Sequence, residues 1–354
     1  MLDGGRGVAA VIVMLTHGFW TIGLVPTGAL AVDYFFILSG LVLAYAYEPR
    51  FLASKITIGR FFRLRLIRLY PMIALGMTAA GLLYFASQWL WSGDDHFKRI
   101  VAAVIAGLLL IPLPRGFLAP TMDWMSPLNL PMWSLFFEAI SNLLYAPLVR
   151  YITLPRLFSV VAISGTALAL ALWHHRYSSF GITRLEIPDG LVRLIYAFTV
   201  GLIIFRLFNS ELKVSTAWLP LLTVAFIGLC SIQTGWTSDT FRVWWILSAL
   251  IIMPVMVYLM AHMHPGQWIA DKCAYLGRLS YPLYLIHYPV ISFFNKMIIH
   301  LRVHGVQLVL MVCLQMAAAV VSAIISLHFF DEPVRNWLSR RSPRTLSSLA
   351  QEST

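Results

Sequence analysis

The sequence predicts an all-α, polytopic membrane bundle of about ten transmembrane helices with one additional re-entrant or interfacial element. Of its 354 residues, 59% are hydrophobic and only 12% are charged, and the mean hydropathy is +0.78. Soluble domains carry about 25% charged residues, so this composition indicates an integral membrane protein. Apolar stretches recur along the chain, and short basic segments separate them.

A window of about 19 residues finds eleven apolar stretches. They cover residues 8–25, 29–47, 71–91, 99–113, 132–150, 157–173, 190–207, 214–232, 243–261, 275–299 and 306–329. Lys and Arg are enriched in cytoplasmic loops. The basic residues of 48–70 and of the C-terminal tail therefore predict that both termini are cytoplasmic, which requires an even number of crossings. The stretch 99–113 is short and ends at two prolines, so we expect it not to cross.

No long linker or internal repeat is visible, which predicts one membrane domain over residues 1–340 and a disordered cytoplasmic tail over 341–354. The first apolar stretch has no cleavage site typical of signal peptides, so we expect it to be retained. The net charge of +11 comes from residues between apolar segments, which indicates contacts with anionic membrane lipids rather than nucleic acid. Three cysteines without CxxC spacing predict neither a disulfide framework nor a zinc site.

The first apolar helix carries Arg6 near its start and His17 near its middle. Eleven residues of helix separate them, a rise of roughly 16 Å. An isolated membrane histidine is often only a hydrogen-bonded structural group, but intramembrane ionisable residues also mark functional sites. Asp33 in the second helix lies at a similar predicted depth. A pairing of Asp33 with His17 would fix the tautomer of the imidazole and raise its basicity, although a purely structural ion pair is the alternative.

The basic stretch RFFRLRLIRLYP places its arginines on two faces of a helix. Arg60 and Arg63 share one face, and Arg65 and Arg68 share another, roughly 140° away. Because the planar guanidinium suits phosphate, the pair that turns inward is a candidate site for a phosphorylated cosubstrate. An ordinary polybasic interfacial helix explains the spacing equally well.

Two further stretches carry polar residues at helical spacing. Glu138 belongs to a polar stripe and is expected about 8 Å below the outer surface, where Trp133 is typical of an interfacial belt. Tyr284 and His287 share a face of the helix that Pro282 and Pro289 would break or kink, and His287 has the predicted depth of His17. We therefore expect a common central cavity. None of these residues has HExxH spacing, so no metal site is predicted.

Six segments together resemble, in order, the successive motifs of the membrane acyltransferase-3 family. They are LDGGRGVAAVIVMLTH, AVDYFFILSGLVLA, RLRLIRLYP, MWSLFFEAISNLLY, LGRLSYPLYLIHYPV and FDEPVRNWL. This resemblance covers nearly the whole chain. It implies an O-acyltransferase of the bacterial inner membrane, which moves an acyl group, usually acetyl, from cytoplasmic acyl-CoA to a hydroxyl of a carbohydrate or glycan.

The resemblance also implies roles for matched residues. Arg6 and His17 match the arginine and histidine that the family requires for activity, and Arg65 and Arg68 match an R-x-x-R motif linked to acyl-CoA. The family usually has a larger apolar residue at the position of Gly5 and often Leu at that of Tyr34. A second acidic residue often stands at the position of Ala139.

These observations lead to one mechanistic hypothesis. His17, oriented by Asp33, is the general base or carries the acyl group covalently, and Arg6 assists at the thioester. The other expected contacts are Arg63, Arg65 and Arg68 with acetyl-CoA or another acyl-CoA, and Glu138, Trp133, Tyr284 and His287 with a glycan or small-molecule acceptor. The alternative is a transporter or flippase for a small solute or a lipid-linked glycan, although no inverted repeat supports it.

Overall fold

The molecule is described by a computed structural model at residues 1–24, 28–91, 97–119, 122–174, 181–231 and 238–340. Within these ranges there is no β-strand, only two isolated β-bridges. Thirteen α-helices form the bundle, which confirms the all-α prediction. The helices are α1 (Leu2–Phe19), α2 (Ala29–Leu52), α3 (Ile58–Trp91), α4 (Phe97–Leu108), α5 (Met132–Leu148), α6 (Leu154–His174), α7 (Ile187–Arg206), α8 (Leu219–Ser231), α9 (Asp239–Leu247), α10 (Met253–Ala261), α11 (Gln267–His300), α12 (Gly305–Ser326) and α13 (Glu332–Arg340). The predicted tail, 341–354, lies outside the described residues.

Eight helical runs of the described chain are long and apolar enough to cross a membrane. Two of these runs join neighbouring helices through π-helical turns, namely α9 to α10 and α12 to α13. The eight runs are Leu2–Ile22, Ala29–Leu52, Ile58–Trp91, Met132–Tyr151, Leu154–His174, Ile187–Arg206, Asp239–Ala261 and Gly305–Arg340. This confirms a polytopic membrane bundle.

The other predicted crossings are the shorter run Thr216–Ser231 and α11, which has 34 residues. The total of ten crossings stays a prediction. The stretch expected not to cross forms α4, whose 12 residues are fewer than the roughly 17 that a spanning helix needs.

α1 and α11 pack closely because small residues lie between them. A Cβ atom built on Gly4 would lie 2.6 Å from Sγ of Cys273, and one on Gly7 would lie 2.6 Å from Cβ of Leu276. Small residues let membrane helices bring their backbones together. This contact fixes the two helices that carry the histidines at 17 and 287.

The chain enters α5 through an irregular segment that is buried in the protein. Leu128 and Leu130 are 3% and 1% exposed, and Asn129 is fully buried. Irregular backbone at membrane depth is tolerated only where protein or water satisfies its polar groups. α5 therefore begins at a segment that is packed within the bundle.

Asn129 also compensates for a proline in α11. This helix runs unbroken through Pro282 and Pro289, so the predicted break does not occur. Pro289 has no N–H for the carbonyl four residues earlier, which is that of Leu285. Nδ2 of Asn129 donates to this carbonyl oxygen at 2.9 Å. The side chain thus supplies the missing donor two residues before His287.

Replacing Asn129 by leucine should lower the apparent melting temperature of the purified protein. The loss corresponds to about 1–3 kcal/mol, because the Leu285 carbonyl is left buried without a donor. Adding Pro289→Ala restores a backbone N–H at that carbonyl, so the double variant should recover most of the loss. Thermal unfolding in detergent measures both. Equal stability of the single and double variants would contradict the proposed compensation.

Candidate active site

A cavity with an empty volume of about 800 Å³, including its open mouth, lies between α1, α2, α3, α5 and α11. It brings together five residues predicted as functional from four separate motifs, and other hydroxyl groups complete its polar lining. The polar lining residues are Arg6, Ser39, Arg65, Arg68, Ser134, Glu138, Ser280, Tyr281 and Tyr284.

The charge in this cavity is predominantly positive. Nη2 of Arg65 donates to Oε1 of Glu138 at 2.6 Å, and this carboxylate faces three lining arginines. Arg6 reaches Asp3 at 3.8 Å, and it also lies close enough to Arg68 for the two cations to interact. Like charges held together in a partly desolvated site attract an anion. The cavity is therefore suited to a multiply charged anionic group.

Two predicted positions differ from what the structure shows. Glu138 was expected on the outer side, away from the basic stretch, but it pairs with Arg65 because α5 begins within the bundle. Arg63 was expected beside Arg65 and Arg68. It lies instead in a separate apolar groove against α13, since helical geometry turns it to the other face of α3. The expectation that Arg63 belongs to the same site is wrong.

His17 and His287 contact each other at the centre of the bundle. Nδ1 of His17 lies 3.0 Å from Nε2 of His287, and Nδ1 of His287 lies 2.8 Å from the carbonyl oxygen of Leu283. A carbonyl only accepts, so Nδ1 of a neutral His287 carries the proton and its Nε2 accepts. Nδ1 of His17 must then donate to that Nε2. This chain of bonds leaves the lone pair of His17 on Nε2.

The cavity ends near this histidine pair. The hydroxyls of Ser134 and Tyr284 lie 2.7 Å apart at the cavity wall, and the rings of Tyr284 and His287 have centroids 6.2 Å apart. His17 does not line the cavity itself and is 9% exposed. The basic cavity therefore lies on one side of the His17–His287 pair, and Tyr284 lies between the cavity and the two imidazoles.

Asp33 does not pair with His17, and that prediction is wrong. Its carboxylate receives Nε of Arg193 at 2.6 Å and Nη2 of Arg193 at 3.0 Å, and Arg193 also donates to the carbonyl of Ala29. The side chains of Arg193 and Asp33 are 2% and 3% exposed. The sequence predicted the depth of Asp33 along α2. It did not predict that the Asp33 side chain points toward α7, which carries Arg193. An arginine inside the apolar stretch 190–207 was the signal that sequence reasoning missed.

Trp133 packs in the protein core and does not line the cavity. It is 5% exposed, its ring centroid lies 5.8 Å from Cζ of Arg193, and Phe36 and Phe137 flank it edge-on. Both the expected contact with substrate and the interfacial belt are therefore wrong. The buried start of α5 carries this residue inward, where it covers the Asp33–Arg193 pair.

Across the described ranges of the chain, no group of three or more His, Cys, Asp or Glu side chains is placed to hold a metal ion.

The model of the acyltransferase domain of the acyltransferase-3 family matches residues 1–328. The chain belongs to this family. It is 36% identical over 180 residues to protein 2 of the picA locus of Rhizobium radiobacter, an alignment that covers 48% of this chain and 93% of that protein.

Two longer alignments reach proteins whose names describe an activity. A Staphylococcus aureus protein named as an O-acetyltransferase is 26% identical over 384 residues, which cover 97% of this chain and 59% of that protein. A Komagataeibacter xylinus protein named as a membrane-bound transacylase is 22% identical over 334 residues, which cover 92% and 81%. The chain thus spans less than two thirds of the Staphylococcus relative. No solved structure matches.

Two departures from the family pattern are in contact in this acyltransferase. The hydroxyl of Tyr34 occupies the space that a side chain at Gly5 would need, and it donates to the carbonyl oxygen of Leu2 at 3.3 Å. Gly5 therefore makes room for the Tyr34 hydroxyl next to Arg6.

The Asp33–Arg193 pair predicts a separation between stability and catalysis. Asp33→Asn leaves Arg193 buried without a counter-charge and should cost about 3–5 kcal/mol, whereas replacing both residues by Leu and Met should be nearly neutral. The double variant should retain acyl transfer, because Asp33 holds α2 to α7 and does not contact His17. Thermal unfolding and transfer assays measure the two effects.

The control for this series is Asp239→Asn, which breaks the ion pair with Arg242 at 3.0 Å on an exposed carboxylate. It should cost less than about 1 kcal/mol. If the double variant at Asp33 and Arg193 is stable but lacks transfer activity, the result would support a catalytic role for Asp33.

Proposed function

We propose that this membrane acyltransferase transfers an acyl group, normally acetyl, from acyl-CoA to a hydroxyl of a carbohydrate, a glycan or a related small molecule. The observation that carries the proposal is the cavity with three arginines that ends beside the His17–His287 pair. An anion-binding cavity and a base of defined tautomer are the two parts that O-acyl transfer from a phosphorylated thioester needs.

The arginines are proposed to hold the phosphates of coenzyme A. Nε of Arg65 is buried and has no protein partner in the described part of the chain, while its Nη2 is held by Glu138. Arg68 is exposed at the same cavity. Both guanidinium groups therefore have donors left for phosphate oxygens. With the phosphates there, the thioester extends past Arg6 toward Tyr284.

The proposed chemical step is direct transfer at His17. Its Nε2 takes the proton of the acceptor hydroxyl as that oxygen attacks the thioester carbonyl. A bond from the oxygen to the acyl carbon forms, the carbon–sulfur bond breaks, and the proton passes to the coenzyme A thiolate. Because Ser134 donates to the carbonyl of Pro131, the Tyr284 hydroxyl is the proposed donor to the developing oxyanion, toward which it turns from Ser134. An acyl-His17 intermediate is the alternative order of the same bond changes.

The same proposal includes the orientation in the cell membrane. Arg65 and Arg68 lie in the N-terminal part of α3, within the basic stretch 48–70, and cytoplasmic segments are enriched in such residues. Acyl-CoA then reaches the cavity from the cytoplasm, and both termini lie on that side of the plasma or inner membrane.

His17→Ala should lower the transfer of labelled acetyl from acetyl-CoA by at least about 100-fold, since it removes the general base. The protein should still insert in the membrane and bind acetyl-CoA, because the cavity arginines are unchanged. His287→Ala should lower transfer less than His17→Ala does. This variant removes the contact that sets the tautomer of His17, but it leaves the basic Nε2 of His17 in place. Coenzyme A release and acylated product are both measured. Full transfer by His17→Ala would contradict the mechanism, and absence of coenzyme A release by wild-type protein would favour the transporter alternative.

Arg68→Ala should raise KM for acetyl-CoA by about tenfold, the effect expected for one lost charge-assisted hydrogen bond. Arg63→Ala is the matched control, because it removes the same charge from the same helix but from the opposite face. That variant should change KM by less than about twofold. Equal effects of the two substitutions would mean that the basic stretch acts through lipid attraction and not through the cavity.

A further inference from the structure

A second polar cluster lies at the end of α1 opposite to Arg6. It joins three helical segments through uncharged side chains. Oγ1 of Thr21 donates to Oδ1 of Asn295 at 2.6 Å, and Nε2 of Gln315 lies 3.3 Å from both Oγ1 of Thr21 and the carbonyl oxygen of Gly18. Thr21 and Gly18 flank the turn that follows His17, so this cluster lies about one helical turn from the base.

The cluster has unused hydrogen-bonding capacity. Gln315 is fully buried, yet its Oε1 has no partner among the residues that the structure describes. Its two donor contacts are at the long end of the range for N–H···O bonds. A buried amide oxygen without a donor costs free energy. Among the described residues, Oε1 of Gln315 is therefore a buried acceptor without a donor beside the turn that follows His17.

An exposed aromatic ring adjoins the same cluster. Trp20 is 38% exposed, and its ring meets that of His17 edge-on with centroids 4.9 Å apart. It belongs to the 3₁₀ turn Trp20–Ile22, which also carries Thr21. A large aromatic face gives contact area to C–H groups, and neighbouring amides and hydroxyls bond O–H groups. This combination matches the alternating apolar and hydroxyl surface of a sugar ring.

We propose that Trp20, Thr21, Asn295 and Gln315 form the acceptor subsite, which holds a polyhydroxylated acceptor with one hydroxyl at Nε2 of His17. The inference rests on the proposed function and names the site and chemical class of its acceptor. All four side chains are uncharged, so recognition depends on hydrogen bonds and ring contact and not on ion pairing. The donor cavity begins at Arg6, so the two substrates approach His17 from opposite ends of α1.

Gln315→Met tests the subsite, because it keeps the length of the side chain and removes its hydrogen bonds. The control is Gln307→Met, a matched substitution at an exposed position of the same helix. Purified full-length protein in lipid nanodiscs receives [¹⁴C]acetyl-CoA and an envelope-glycan extract from cells that lack this chain. Label in the glycan fraction reports transfer. Coenzyme A release without extract reports donor binding and transfer to water.

Gln315→Met should lower transfer at limiting extract by about tenfold, as expected for loss of a hydrogen bond to the acceptor. KM for acetyl-CoA and transfer to water should stay within about twofold of wild type, and Gln307→Met should change neither. Trp20→Ala should impair transfer in the same selective way, and Trp20→Phe should restore part of it because a ring face is retained. Mass spectrometry of the labelled product should place the ester on a sugar hydroxyl.

Three results would overturn the subsite. One is unchanged transfer by Gln315→Met, and another is an ester on an acceptor that is not polyhydroxylated. The third is a Gln315→Met variant that loses transfer to the glycan and also loses either transfer to water or its folded state. Such a result would mean that the amide has a structural role. The proposed function fails in a different way, since wild-type protein would then release no coenzyme A under any condition.

Discussion

The contact between the imidazoles of His17 and His287 depends on how closely two long helices approach. Gly4 and Gly7 of α1 leave no room for side chains against α11, and this close packing continues to the point where the histidines meet. The Leu283 carbonyl accepts a hydrogen bond from Nδ1 of His287. Nε2 of His287 then accepts a hydrogen bond from Nδ1 of His17. The close packing of α1 and α11 therefore brings the imidazoles together, and the Leu283 carbonyl determines which nitrogen of His17 is basic.

Buried charges around this pair are compensated in two different ways. Arg193 and Asp33 form two hydrogen bonds with each other inside the bundle, and Trp133 packs over them, so they hold helices together. Arg65 and Glu138 form one bond, and they line the cavity together with Arg6 and Arg68. Three cations therefore face one carboxylate where the cavity opens. Such an excess of charge is costly in a membrane, and an anionic substrate would balance it.

The approach of donor and acceptor follows from the length of α1. Arg6 and the Trp20–Ile22 turn lie at opposite ends of this helix, and its rise of about 1.5 Å per residue separates them by most of the membrane core. His17 lies between them but nearer the turn. In the proposed function, two substrates from opposite sides of the membrane would thus meet at this histidine.

Composition and periodicity alone determined the class of this protein and much of its site. Low charge with recurring apolar stretches required a helical membrane bundle, since only helices satisfy their own backbone in lipid. Helical periodicity placed Arg65 and Arg68 on one face of a helix, and intramembrane ionisable residues marked Arg6, His17 and His287. These conclusions need only local geometry, which the order of residues carries.

Partners and depth required the tertiary structure. Asp33 meets Arg193 and not His17, because α2 turns that face toward α7. Glu138 meets Arg65 where α5, which begins at a buried segment held by Asn129, packs beside α3. Counting residues from an assumed helix end cannot detect such a contact. The sequence therefore determined which ionisable side chains lie within the helical bundle, whereas only the packing of distant helices decided which of them meet.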